Sequence, residues 1–146
     1  DVLRGLGRAD CQVLAPVRSH LHQEDLETLP LNIHVTDWIP THQLGDAVDL
    51  AITHGGEGTV QTSCVQGWPF IGIPLQLEQR FNVQRCVAFG SARLVSQKEA
   101  RRADWAALVR EALADDVMRS RARRVAELMK GLDGPGQAAE AICKLL

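Results

Sequence analysis

The stretch Asp49–Gly67, DLAITHGGEGTVQTSCVQG, reads as an apolar strand over Leu50–Thr53, a glycine-rich turn, and a helix over Thr59–Gln66. A strand running through a tight turn into a helix is half of a β-α-β unit, so this segment argues for an α/β fold with parallel strands. Gly55, Gly56 and Gly58 permit positive φ and let a ligand approach backbone that larger side chains would obstruct. Amide groups at Gly58, Thr59 and Val60 are expected to lack intrahelical partners, and with the helix dipole they make an anion site. Phosphate is the obvious anion. Thr59 adds a hydroxyl, and His54, at the strand's carboxyl end, can donate from its ring to a phosphate oxygen. The same residues also fit a plain tight turn beside a hydrogen-bonded core histidine.

Outward from this segment, short β-rich runs alternate with helical patterns. The strands read as Cys11–Ala15, Ile33–Thr36, Leu50–Thr53, Phe70–Ile73 and Ala92–Val95, apolar enough to be covered on both faces. Helices are expected at Thr59–Gln66, Arg80–Phe89, Asp104–Ala114, Val117–Lys130 and Pro135–Leu146, with Gly131 as a helix stop and Pro135 as a start. Residues Asp1–Asp10 look like the end of a helix with no strand before it, so the chain reads as beginning partway through a domain.

At 146 residues, 45% hydrophobic and 23% charged, the chain has the composition of one globular domain. A formal charge of −2 argues against a general polyanion or nucleic-acid binder. The basic cluster Arg119, Arg121, Arg123 and Arg124 reads as a solvated helix face, with Val117, Val125, Leu128 and Met129 supplying its apolar positions. Cys11, Cys64, Cys86 and Cys143 have no C-x-x-C spacing and read as buried thiols rather than a metal or redox site. With no run of membrane-span length and no signal segment, a cytoplasmic location is expected.

A second constellation is Gly67–Asn82, GWPFIGIPLQLEQRFN, where Pro69 and Pro74 bracket a strand. Just past it come Glu78, Gln79 and Asn82, on the sheet edge where doubly wound folds bind ligands. A carboxylate beside an amide suits paired sugar hydroxyls, although the same side chains could simply begin a helix. In the third, Thr36–Leu44, TDWIPTHQL, Trp38 can stack on a planar base or join the core. A dinucleotide-binding loop is opposed by Gln61 at the third glycine position and by the lack of an acidic residue about 20 residues on.

Taken in order, W-x-P (Trp38, Pro40), T-H-G-G-x-G-T (Thr53–Thr59), G-x-P (Gly67–Pro69) and I-P-x-x-x-E-Q-x-x-N (Ile73–Asn82) resemble the donor-binding half of nucleotide-sugar-dependent glycosyltransferases of the bacterial natural-product and macrolide type. The likeness runs from about Asp10 to the C-terminus. It implies the C-terminal, Rossmann-like domain of the two-domain GT-B architecture: a parallel sheet with helices on both faces, here lacking its first strand. It further implies that Trp38, with backbone near Ile39 and Thr41, meets the nucleobase. His54, Gly55, Gly56, Gly58 and Thr59 would hold the diphosphate, and Glu78 and Gln79 the donor sugar. No metal or cofactor is implied beyond the nucleoside-diphosphate sugar, with uracil or thymine as the base. Thr62 stands where plant members carry a ribose-binding glutamate, so no ribose ligand is implied. The acceptor pocket and the general base would belong to an N-terminal domain, so residues 1–146 alone should not catalyse transfer. A stand-alone donor-binding subunit needing a separate acceptor partner is the alternative.

The family's strand order, 3-2-1-4-5-6, would leave the Cys11–Ala15 and Leu50–Thr53 strands flanking an absent first strand. That predicts an open slot between them, a strand from another chain, or direct closure of the two edges.

Overall fold

The computed structural model describes residues 2–145 and has short parallel strands alternating with helices. β1 (Val13–Ala15) pairs with β2 (Ile33–Val35), Val13 opposite Ile33. β3 (Ala51–Thr53), β4 (Phe70–Gly72) and β5 (Ala92–Leu94) form a second parallel sheet in that order, Ala51 opposite Phe70 and Phe70 opposite Ala92. The helices are α1 (Val2–Leu6), α2 (Gln23–Glu27), α3 (Glu57–Gln66), α4 (Leu77–Phe89), α5 (Gln97–Ala100), α6 (Trp105–Leu113), α7 (Asp116–Met129) and α8 (Gly134–Cys143).

Strand alternation sends neighbouring residues to opposite faces and so builds two cores. Ile71 turns toward Trp105, Val109 and Ala112 of α6, Met118 of α7 and Leu6 of α1, with Ile52 and Val13 packed against them. Phe70 and Ala92 turn the other way, onto Val83 of α4. The sheet β3-β4-β5 is thus covered on both faces, as expected. The pair β1-β2 is not: Leu14 is 52% exposed, and His34 shares a hydrogen bond of 2.8 Å with Gln12 on the open side.

Among the described residues no hydrogen bond joins β1 to β3, and the strands fall into two separate sheets. Of the three arrangements expected, direct closure is excluded, since the flanking strands are not paired with each other; Val2–Leu6 is helix, not a central strand. Asn32 holds the turn from α1 into β1, its Nδ2 donating to the carbonyls of Leu6, Ala9 and Cys11.

Several boundaries differ from expectation. α3 begins at Glu57 and α4 at Leu77, earlier than the apolar spacing indicated, because Gly56 and Gln76 adopt extended N-cap geometry. The apolar spacing does not predict α2 or α5. α5 carries a legible signal, since Ser96 and Glu99 form a reciprocal capping box. α8 starts at Gly134 behind the Asp133 cap, which puts Pro135 at the second helical position, whereas Gly131 does stop α7 at φ +83°. Asp1 and Leu146 lie outside the described residues.

The buried stripe of α7 is also different. Met118 and Ala122, four residues apart, face inward, while Val117 and Leu128 are exposed. Arg123 Cα and Ala126 Cβ sit 3.4 and 3.3 Å from where a Cβ on Gly67 would stand, so α7 is laid against the end of α3 at a glycine. Asp115 caps α7 by accepting from Met118 N, and its carboxylate pairs with Arg93 of β5 at 2.9 Å. Those two contacts hold its carboxyl below the usual range.

Candidate functional site

The turn after β3 is fixed by close approach. Gly55 has φ +87°, and a Cβ there would lie 2.5 Å from Val83 Cγ2 and 2.9 Å from the Gln79 carbonyl oxygen. Val83 is fully buried and wedged also against Gly72, so neither neighbour can yield. The turn is therefore pressed onto α4. Asn82 fastens it there: its Nδ2 donates to the Gly55 carbonyl at 3.1 Å and to Glu78 Oε1. The sequence places Asn82 in a polar trio, and its structural part is this clip between the glycine turn and α4.

Gly56 is the N-cap of α3, and its carbonyl accepts from both Thr59 N at 3.1 Å and Val60 N at 3.0 Å. The expected free amides at Thr59 and Val60 are thus occupied. Because the helix begins two residues earlier, the amides without a backbone partner are those of Gly56, Glu57 and Gly58. His54 is exposed, and its ring lies across this terminus: a Cβ on Gly56 would come within 2.5 Å of His54 Nε2. It is not a core histidine. Gly58 faces open space, with nothing within 4 Å of a Cβ built on it. Three amides, the positive end of a ten-residue helix and an imidazole therefore converge on one accessible spot.

Thr59 is partly committed. Its hydroxyl donates to the Gly56 carbonyl at 2.9 Å and lies 2.7 Å from Thr53 Oγ1, which accepts from Gly55 N. A ligand could receive its proton only by displacing the Gly56 carbonyl.

Glu78 and Gln79 stand in the first turn of α4. Glu78 is exposed. Gln79 is mostly buried, and its Oε1 accepts from Leu75 N at 2.9 Å, shaping the loop before the helix. Among the described residues no buried side-chain polar atom lacks a partner, so Gln79 Nε2, which has none, reaches solvent and is the end left for a ligand.

Trp38 lies in the loop after β2 and is 73% exposed, which removes the core alternative. Thr36 Oγ1 donates to the Trp38 carbonyl, and the Ile39 carbonyl accepts from Thr41 N, so Ile39 and Thr41 shape the turn behind the ring. This loop is pinned to the far end of α3: Gln66 Nε2 donates to the His42 carbonyl and Trp68 Nε1 to the Gly45 carbonyl, each at 2.7 Å. No hydrogen bond joins it directly to Gly55–Thr59. Around the site Leu75, Leu77 and Phe81 are also exposed. A concavity of about 350 Å³ lies away from these residues, between α1 and the turn after α5, lined by Arg4, Arg8, Arg101, Arg102 and Trp105. Among the described residues, no three His, Cys, Asp or Glu side chains are grouped to hold a metal, and no helix is long and apolar enough to cross a membrane.

Residues 1–145 match the family model described as erythromycin biosynthesis protein CIII-like, C-terminal domain. The chain is 34% identical over 122 residues to an oleandomycin glycosyltransferase from Streptomyces antibioticus, covering 81% of this chain and 27% of that protein. It is 30% identical over 146 residues to 4'-demethylrebeccamycin synthase from Lentzea aerocolonigenes, covering 96% of this chain and 32% of that one. In fold it superposes on the glycosyltransferase VinC, solved in complex with DTDP, with a TM-score of 0.83 at 19% identity, covering 98% of this chain and 36% of that one. The chain thus spans about a third of the length of the proteins it matches.

Proposed function

The chain belongs to the erythromycin biosynthesis protein CIII-like C-terminal domain family, and from that premise we propose that it is the donor-binding part of a GT-B glycosyltransferase that moves a sugar from a nucleoside diphosphate to a small-molecule acceptor. One observation carries the reading: the free amides of Gly56, Glu57 and Gly58 meet the His54 ring at the start of α3. As the glycosidic bond breaks, negative charge grows on the departing diphosphate. Fixed amide dipoles and the imidazole stabilise that charge without having to reorganise. Trp38, exposed on its hydrogen-bonded loop, supplies the stacking face for the base, and Glu78 with Gln79 Nε2 meets the sugar hydroxyls.

In this reading the acceptor pocket and the general base lie outside residues 1–146, and these residues alone do not catalyse transfer. The exposed Leu75, Leu77 and Phe81 beside Glu78 and Gln79 support a second domain packed against this face. The unpaired edges of β1 and β3 support one further parallel strand between the two sheets.

The test is calorimetric titration with thymidine, thymidine diphosphate and a thymidine diphosphate sugar, then with the uridine series. The diphosphate should bind more tightly than the nucleoside. His54→Ala should cost the diphosphate roughly 1.5–3 kcal/mol, about 10- to 150-fold in affinity, and leave the nucleoside unchanged. Equal losses for both would remove His54 from the phosphate site.

Glu78→Ala tests the sugar site more cleanly than a change at Gln79, whose Oε1 also shapes the loop. The Asn82 bond to the Gly55 carbonyl does not itself involve Glu78. Affinity for the sugar conjugate should fall by about 1–3 kcal/mol while the bare diphosphate binds as before. A parallel loss for both ligands would count against a sugar contact at this position.

A further inference from the structure

Cys64 and Cys86, 22 residues apart in sequence, meet across the α3–α4 interface with their sulfur atoms 4.0 Å apart. Both are partly buried, within reach of a small oxidant, and each lies in the carboxyl half of its helix. The amino ends of the same two helices carry the His54 turn and the Glu78–Gln79 pair. We propose that Cys64 and Cys86 are an oxidation site that a peroxide converts to a disulfide bridging α3 and α4. The inference stands on the thiol geometry and does not depend on what the neighbouring site binds.

The two thiols have different parts. In the sulfur–sulfur contact either thiol can donate to the other, so that one is favoured as the thiolate while its neighbour keeps its proton. Whichever thiol loses its proton is the nucleophile, and the other resolves it. With Cys86 as the nucleophile, its thiolate attacks one peroxide oxygen; the O–O bond breaks, hydroxide leaves, and Cys86 becomes a sulfenic acid. Cys64 then attacks that sulfur, the S–S bond forms, the S–O bond breaks, and the departing hydroxide takes the Cys64 proton as water. In sum, two thiols and one hydrogen peroxide give one disulfide and two waters. Closing 4.0 Å to a bond of about 2 Å needs only a small approach of two side chains already in contact.

The reduced chain would be treated with hydrogen peroxide, alkylated, digested and mapped by mass spectrometry. The expected product is a Cys64–Cys86 peptide pair lacking two hydrogens and released by dithiothreitol. In Cys64→Ser, which keeps a small polar side chain, no bridge should form, and Cys86 should accumulate sulfenic acid that dimedone traps. A second readout needs no variant: the oxidised chain should melt at a higher temperature than the reduced one and return to the lower value with dithiothreitol. Wild-type protein with both thiols still open to alkylation, under peroxide that has already oxidised the exposed Cys143, would overturn the proposal. Accumulation of Cys86 sulfinic acid in wild-type protein without a bridge would do the same.

Discussion

Gly55→Ala is expected to cost about 2–5 kcal/mol of folding stability and to abolish binding of a nucleoside diphosphate. The backbone there is at φ +87°, where an L side chain pays about 1–2 kcal/mol. The added methyl would also stand 2.5 Å from Val83 Cγ2 and 2.9 Å from a backbone carbonyl. Overpacking of that kind adds roughly 1–3 kcal/mol. Relief requires lifting the turn off α4, which breaks the Asn82 bond to the Gly55 carbonyl and scatters the three amides beside it. Denaturant unfolding and thymidine diphosphate titration on the same preparation check both halves. A variant with wild-type stability and affinity would show that the turn is not held against α4 as described.

Trp105→Ala is expected to remove about 3–5 kcal/mol, the range for deleting a fully buried large aromatic side chain. Trp105 is 2% exposed, and its Nε1 donates to the Ala100 carbonyl at 3.0 Å, closing the turn between α5 and α6. Its ring also receives α1: a Cβ on Gly5 would lie 2.8 Å from Trp105 Cδ1. Deletion would therefore leave a cavity beneath Ile71 and Val109 and orphan a carbonyl at once. Against a typical total of about 5–15 kcal/mol, the loss should lower the melting temperature by roughly 10–20 °C. A fall of only a few degrees in a calorimetric scan would mean that the larger core is not centred on this ring. Because Trp105 lies on the opposite side of the sheet from α4, whatever fraction remains folded should still bind the diphosphate.

The parallel α/β fold was legible because strand and helix periodicities alternate along the chain and because Asp49–Gly67 contains a whole strand-turn-helix unit. The ordered motifs from Trp38 to Asn82 also carried the family resemblance, which the match over residues 1–145 bears out. Each of these is local: a handful of adjacent residues sets the turn, the cap or the periodicity. Even the mistaken helix starts at Thr59 and Arg80 were errors of a turn or less, since the N-cap is a backbone conformation and Gly56 and Gln76 carry no capping side-chain bond to announce it.

What spacing could not convey is which distant side chains meet. Asn82 reads as a surface amide until the Gly55 carbonyl, 27 residues away, is placed beside it. Cys64 and Cys86 read as unrelated thiols until α3 packs on α4. Trp38 could have entered the core on composition alone; its exposure follows from how Gln66 and Trp68 anchor the loop that carries it. The sequence by itself determined the fold class, the family and the glycine turn, because those depend on short-range sterics and periodicity. Which amides stay free, which amide side chain becomes a clip and which thiols touch were decided only by the tertiary structure, because hydrogen bonds and sulfur contacts act over a few ångströms between residues that the chain alone keeps far apart.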